Sequence, residues 1–189
     1  MTILVDMDDV IEQLVEAWVR GVNETYGTKA NYEDVTDWNV AKAFPTLTRE
    51  QVYEIPMRPG FWQTVEPKPG AAEVLKRWMD AGHEVFIVTA TQFASVPEKI
   101  NGFLFGHFPF LTPEQVIITL KKQMIRGDVL IDDGVHNLTG GDYKKILMTM
   151  PHNKNYDAEK NGMIRVNDWA EAEKAVNELI GQTEPPAAI

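Results

Sequence analysis

The chain contains no cysteine, so disulfides, thiol nucleophiles and cysteine-ligated zinc are excluded, and any catalysis falls to oxygen and nitrogen groups. Serine occurs once, as Ser95, in a segment without the glycine-flanked elbow of serine hydrolases. The histidines His83, His107, His136 and His152 are widely separated, form no helical metal-ligand pair, and read as surface or turn residues. No glycine-rich phosphate loop of the P-loop or dinucleotide type occurs. Apolar runs stay well short of the roughly 18 residues a membrane span requires. The stretch Met1 to Asp6 lacks the basic region, apolar block and cleavage site of a signal peptide, so a cytoplasmic protein with no membrane partner is expected. Positive charge is scarce: 18 lysines and arginines against 28 aspartates and glutamates give a net charge of −10. Such a balance repels a phosphate backbone and argues against extended nucleic-acid binding. A small anionic substrate remains compatible where a metal and a few lysines reverse the field locally.

What is present describes an ordinary globular chain. Its 189 residues, 44% hydrophobic and 24% charged, suit one domain with a modest insertion. Thr2 to Val5 reads as a short buried strand, and Val10, Leu14, Ala17, Trp18 and Val22 recur at helical spacing, predicting a helix to about Tyr26. From Gly27 to Pro67 the pattern loosens into short aromatic-rich pieces, with one helix begun by the capping-box sequence Thr48-Arg49-Glu50-Gln51. Regular alternation then returns. A helix opened by Pro69-Gly70 stops at Ala81-Gly82, and a strand over 84–89, a helix over 96–107 and strands over 116–119, 129–131 and 146–150 follow. An edge strand over 164–166 and a last helix capped by Asp168 and Glu171 complete the series, with a disordered tail over 181–189. Strands alternating with helices of this length imply an α/β fold, a Rossmann-like three-layer arrangement with a parallel sheet between helices. Ligands of such sheets bind beyond the carboxyl ends of the strands.

Two acidic strand ends stand out. Leu4-Val5-Asp6-Met7-Asp8-Asp9-Val10 places three carboxylates after an apolar strand, and Leu130-Ile131-Asp132-Asp133-Gly134 places two more after another. Carboxylates packed this closely need a cation or protons to offset their repulsion, and oxygen-only ligation points to magnesium rather than zinc. Acids at a helix start, or an Asp-Gly turn, would account for either motif singly. An EF-hand is excluded, since Val10 stands at the third ligand position and the expected glycine is missing. Thr89, ending Val85-Phe86-Ile87-Val88, and Lys99, Lys121 and Lys122 supply the hydroxyl and ammonium groups a transferring phosphoryl group requires. Lys122 is favoured because it lies in a connection between two strands. Lys99 belongs to a helix that would turn it toward solvent, and Lys121 should point away from its neighbour. With no other nucleophile in view, an aspartate backed by a neighbouring carboxylic acid is the plausible pair.

DMDDVI at a strand end, a lone Thr89, a downstream lysine and a DD pair, in this order, resemble the four motifs of the haloacid dehalogenase superfamily. LVDMD, EPKPGAAEVLKRW, VFIVTA and VLIDD are similar to the 5'(3')-deoxyribonucleotidases within it. The resemblance implies a magnesium-dependent phosphomonoester hydrolase acting on a nucleoside monophosphate. It makes Asp6 the nucleophile and Asp8 the general acid and base, with Thr89, Lys122 and Lys99 on the phosphate. Magnesium would involve Asp6, the Asp8 carbonyl, Asp132 and Asp133. It also implies a core of residues 1–12 and 67–180 and a small, mostly helical cap inserted after the first strand, about 13–66. The cap's many aromatics suit stacking on a base, and Trp38 and Trp62 are the choices for that contact. Asp9 stands where the pattern usually has glycine, Thr89 is followed by Ala90-Thr91 rather than serine and proline, and Gly134-Val135 also departs from that branch. A phosphatase for another small phosphomonoester, a receiver-like phosphoacceptor and a catalytically silent binding protein stay open as alternatives, as does a homodimer.

Overall fold

The computed structural model describes residues 1–183. Its centre is a six-stranded, all-parallel sheet in the order β3-β2-β1-β4-β5-β6. The strands are β1 (Thr2–Val5), β2 (Glu84–Thr89), β3 (Val116–Ile118), β4 (Val129–Asp132), β5 (Lys144–Met148) and β6 (Ile164–Val166). Side chains alternate across a strand, so a parallel sheet covered on both faces needs apolar residues at successive positions. Ile3 and Val5 pack into one apolar cluster and Leu4 into the other, all three almost fully buried. The first face is covered by α1 (Leu14–Tyr26), α3 (Ala71–Asp80) and α6 (Trp169–Thr183), with α2 (Arg49–Tyr53) lying beyond α1. A π-helix over Pro97–Leu104 joins this layer and runs into the single turn α4 (Phe105–His107). The opposite face is thinner, covered by α5 (Val135–Leu138) and by Tyr143, Ala158 and Met163.

The sheet order positions the site. The chain runs outward from β1 through β2 to β3, then returns to the other side of β1 for β4. The crevice between β1 and β4 is therefore the topological switch point, where α/β sheets open a space for ligands at the carboxyl edge. Val5 is in register with Ile87 on one side and Ile131 on the other. Asp6, Thr89 and Asp132 consequently emerge at the same edge, and the Asp6 N–H donates to the Ile131 carbonyl at 2.9 Å.

Between β1 and α3 the segment is helical. It leaves and rejoins the sheet layer side by side, with Glu12 bridged to Pro67, Gln13 N–H donating to Glu66 O and Lys68 N–H to Ile11 O, each at 2.9 Å. Inside it the reciprocal capping box forms as the sequence suggests: Gln51 N–H donates to Thr48 Oγ1 at 3.3 Å and Thr48 N–H to Gln51 Oε1 at 2.8 Å. Trp18 Nε1 donates to Val52 O at 2.7 Å, which ties α1 to α2.

Two differences from the sequence reading concern helices. The stretch expected as an ordinary helix over 96–107 is mostly π-helical. The last helix continues to Thr183 instead of stopping before Gly181, because Ile180 still packs on the core and extends the helix past it. The rest of the expected tail, 184–189, lies outside the described residues.

Candidate active site

Three carboxylates meet in the crevice. Asp6, Asp132 and Asp133 are all buried, and each offers an oxygen within 4.8 Å of the others. Asp6 Oδ1 accepts from the Met7 N–H at 2.7 Å and lies 2.5 Å from Lys122 Nζ. The same ammonium donates to Asp132 Oδ2 at 2.7 Å. Asp132 Oδ1 accepts from the Gly134 N–H at 2.7 Å and from Asn137 Nδ2 at 3.0 Å, so this carboxylate is held on both oxygens. A side chain at Gly134 would crowd that turn: a Cβ there would sit 2.8 Å from Asn137 Nδ2 and 3.0 Å from Asp132 Oδ1. Asp133 differs, since its Oδ1 is buried with no hydrogen-bond partner among the described residues.

The electrostatics follow from burial. Loss of solvent pushes the Asp6 carboxyl up to about 7, against the pull of the Lys122 ammonium, with Asp132 and Asp8 adding to the rise. Burial likewise holds Asp133 well above the usual carboxylate range, reinforced by Asp132 and Asp6. For Lys122 burial works downward, yet Asp6 and Asp132 together outweigh it and keep the ammonium above its ordinary value. One ammonium among three buried carboxylates leaves negative charge uncompensated. A hard divalent cation with oxygen ligands fits that donor set, and the unpartnered Asp133 Oδ1 is a free ligand atom within it.

A second ion pair lies beside the first. Asp8, one residue beyond Met7, keeps about a third of its side chain exposed, and its Oδ1 is 2.5 Å from Lys99 Nζ. Lys99 also donates to Thr89 Oγ1 at 3.0 Å. Its expected orientation toward solvent is therefore corrected: Lys99 is almost completely buried, because the π-helix sets it on the inward side, where a carboxylate and a hydroxyl receive it. Lys122 lines the crevice, Lys99 meets Asp8 and Thr89 beside it without lining it, and Lys121 is exposed.

Asp9 explains its own departure from the glycine pattern. Its φ of 56° is the single left-handed value among the described non-glycine residues, a conformation that aspartate tolerates better than most side chains. Its Oδ1 accepts from the Val15 N–H at 3.1 Å, while its own N–H donates to Glu12 Oε2 at 3.0 Å. Burial pushes the Asp9 carboxyl up to about 7, opposed by Lys68. Glu12 is fully buried and also accepts from Leu14 N–H at 3.1 Å; sequence reasoning passed it over because a single glutamate followed by Gln13 carries no motif.

The crevice opens into a cavity of about 350 Å³ with a charged floor of Asp6, Asp8 and Lys122. Its apolar wall is built by Leu14, Val15 and Trp18 of α1 together with Val35, Val40 and Tyr53. Trp38 stands at its mouth, 54% exposed, with His136 and His152 edge-on at ring-centroid distances of 4.6 and 5.1 Å. His136 is exposed, as expected of a surface residue, and His152 is half-buried. They line the cavity, and the position of His136 three residues after Asp133 was the available signal. Trp62 is corrected the other way. It does not line the cavity but is buried between Phe61 and Phe103, since its side chain packs under the π-helix.

A family model described as "5' nucleotidase, deoxy (Pyrimidine), cytosolic type C protein" matches residues 1–182. A 5'(3')-deoxyribonucleotidase of Bacillus subtilis is 31% identical over 175 residues, covering 91% of this chain and 96% of that one. A 5'(3')-deoxyribonucleotidase of Clostridium acetobutylicum is 28% identical over 178 residues, covering 94% and 96%. Among solved structures, a HAD family hydrolase from Deinococcus radiodurans R1 with bound phosphate and sodium superposes with a TM-score of 0.61 at 17% identity, covering 94% of this chain and 95% of that one; at this identity the likeness concerns the fold.

Proposed function

The chain belongs to the 5' nucleotidase, deoxy (Pyrimidine), cytosolic type C family of phosphatases, and from that premise we propose that it is a magnesium-dependent 5'(3')-deoxyribonucleotidase working through an aspartyl-phosphate on Asp6. The observation that carries this reading is the Asp6–Lys122 pair, buried in the crevice between β1 and β4 with Asp8, Lys99 and Thr89 beside it. Phosphoryl transfer asks mainly for positioning and neutralisation of charge, and this set supplies both.

In the proposed reaction an Asp6 oxygen attacks phosphorus while the bond from phosphorus to the nucleoside oxygen breaks, and Asp8 gives its proton to that leaving oxygen. Asp8 then takes a proton from water, whose oxygen attacks phosphorus and releases Asp6 as inorganic phosphate forms. Lys122, Lys99 and the Thr89 hydroxyl hold the phosphate oxygens throughout. Asp6, Asp132, Asp133 and the Asp8 carbonyl would hold magnesium, which when bound neutralises the carboxylates and allows a phosphate dianion to approach them.

We assign residues 13–66 to a cap over the substrate, departing and returning through the Glu12–Pro67 bridge, on a core of residues 1–12 and 67–180. The apolar wall of the cavity and the exposed face of Trp38 suit a flat base. A cytoplasmic location agrees with this reading, and no helix of the described residues is long and apolar enough to cross a membrane.

The test is phosphate release from a panel of 5' and 3' ribo- and deoxyribonucleoside monophosphates beside p-nitrophenyl phosphate, all with magnesium. Preference for deoxyribonucleotides is expected. Turnover of the small ester without any nucleotide preference would assign the site to another phosphomonoester, and no turnover of any substrate would leave a binding protein.

A further inference from the structure

Lys99 carries three N–H donors into a buried position; one is given to Thr89 Oγ1, and the ammonium as a whole is ion-paired with Asp8 Oδ1. An aromatic ring also lies beside it. Lys99 Nζ lies 5.1 Å from the centroid of Trp62, over its face, where the negative π cloud attracts a cation most strongly when water is excluded. Trp62 is itself fixed against the π-helix that bears Lys99: its ring packs on Phe103 at 6.4 Å, and two residues earlier the Gly60 N–H donates to both carboxylate oxygens of Glu98, at 3.1 and 2.9 Å. A π-helix is an uncommon winding that recurs at functional sites. Here it presents Glu98, Lys99 and Phe103 to one short segment, Gly60–Trp62.

We infer that Trp62 is a positioning residue for Lys99, its indole face holding the ammonium where it spans Asp8 and Thr89. Trp62 does not line the cavity that holds Asp6 and Asp8. It acts through the lysine, and the inference rests on the phosphatase reading of Asp8 and Thr89. An unbraced lysine could swing toward either partner alone. The ring leaves the ammonium a single position from which both are served.

A double-mutant cycle separates this role from simple core packing. Trp62→Leu should lower kcat about 10- to 30-fold, and Trp62→Phe, which keeps a weaker π face, should recover most of the loss. In a Lys99→Met background the Trp62→Leu effect should vanish, because the group it serves is gone. Should Trp62→Leu fail to fold, Trp62→Phe carries the cycle with a smaller loss that again disappears without Lys99. An activity-independent readout is the Lys99 Hε signal in protein labelled with ¹³C-lysine: the indole face should displace it upfield, and Trp62→Leu should return it to the ordinary range. Losses that add in the double variant, or a Lys99 signal insensitive to Trp62, overturn the inference while the phosphatase reading stands. A wild-type protein that releases no phosphate from any ester overturns that reading instead, and the role in turnover with it.

Discussion

Lys122 Nζ lies 2.5 Å from Asp6 Oδ1, both groups withdrawn from solvent, so the proposed nucleophile and a fixed positive charge share one small volume. Truncating the lysine would leave Asp6 and Asp132 facing each other with no ammonium between them. Lys122→Ala is expected to lower kcat by about 10²–10³-fold, the scale of losing one electrostatic stabiliser of a transition state. Lys99→Ala should fall comparably, since Lys99 holds Asp8 and Thr89. Lys121→Ala should stay near wild type because that residue is exposed. Steady-state rates on variants shown by circular dichroism to be folded decide this, and a normal rate in Lys122→Ala would remove it from the site.

Asp6→Asn and Asp8→Asn should fail in different ways. The Asp6 amide is a poor nucleophile, so turnover should be abolished with no phosphorylated protein. Asp8→Asn keeps the nucleophile but loses the proton donor, so with an ester whose leaving group needs no proton it should accumulate an acid-stable, hydroxylamine-labile phosphoprotein. Intact-mass measurement after rapid quenching reads the added phosphate. Robust steady-state activity in Asp6→Asn would sink the covalent mechanism.

The strand-borne half of this site was legible in the sequence because a parallel sheet enforces it. Two short apolar runs ending in acids, within a chain that alternates strands and helices, point to buried strands delivering those acids to the carboxyl edge, and Asp6, Thr89 and Asp132 gather there by register. Residues brought in by helices and connections were less readable. Lys99 depends on a π-helical winding that no local spacing announces, and the inward placement of His152 comes from a loop after β5 whose path is set by Asn153, with Nδ2 donating to Asp133 O at 2.9 Å and to Met148 O at 2.8 Å. Aromatic composition revealed that residues 13–66 would be ring-rich but not which rings face inward: Trp38 and Tyr53 line the cavity, whereas Phe44, Phe61 and Trp62 fill the core.

Metal removal should be visible in stability as well as rate. Excess EDTA should silence the enzyme, and in that metal-free state Asp6, with a folded pKa of about 7 against an ordinary 3.8, binds more protons folded than unfolded across that interval. Its contribution to stability is therefore fully present below about pH 4 and lost as pH rises through about 7. Asp6→Asn removes this loss, so without metal it should melt several degrees above wild type at pH 8 and nearly equal to it at pH 4. Magnesium should raise the wild-type melting temperature much more at pH 8 than at pH 5, because protons compete for the carboxylates at the lower pH. Thermal melts across pH with EDTA or magnesium measure both, and full activity in EDTA with no metal detectable would refute the metal site.

Trp38 offers the sharpest test of what the cavity reads. Its indole is more than half exposed at the mouth, an uncommon state for a large aromatic unless something covers it, and His136 and His152 stand nearly perpendicular to it. Stacking a base on such a ring contributes about 1–3 kcal/mol, so Trp38→Ala should cost roughly 5- to 150-fold in kcat/KM for a deoxyribonucleoside monophosphate. A small ester has no base, and its turnover should be almost unchanged, since the carboxylates and lysines of the floor do not depend on Trp38. Trp38→Phe should recover much of the nucleotide rate, whereas Trp62→Ala should lower both substrates together, because that ring acts from beneath Lys99 and not in the cavity. Measured side by side, the two tryptophan variants therefore give opposite selectivity patterns, and equal losses on nucleotide and small ester in Trp38→Ala would mean that the indole is not a base contact.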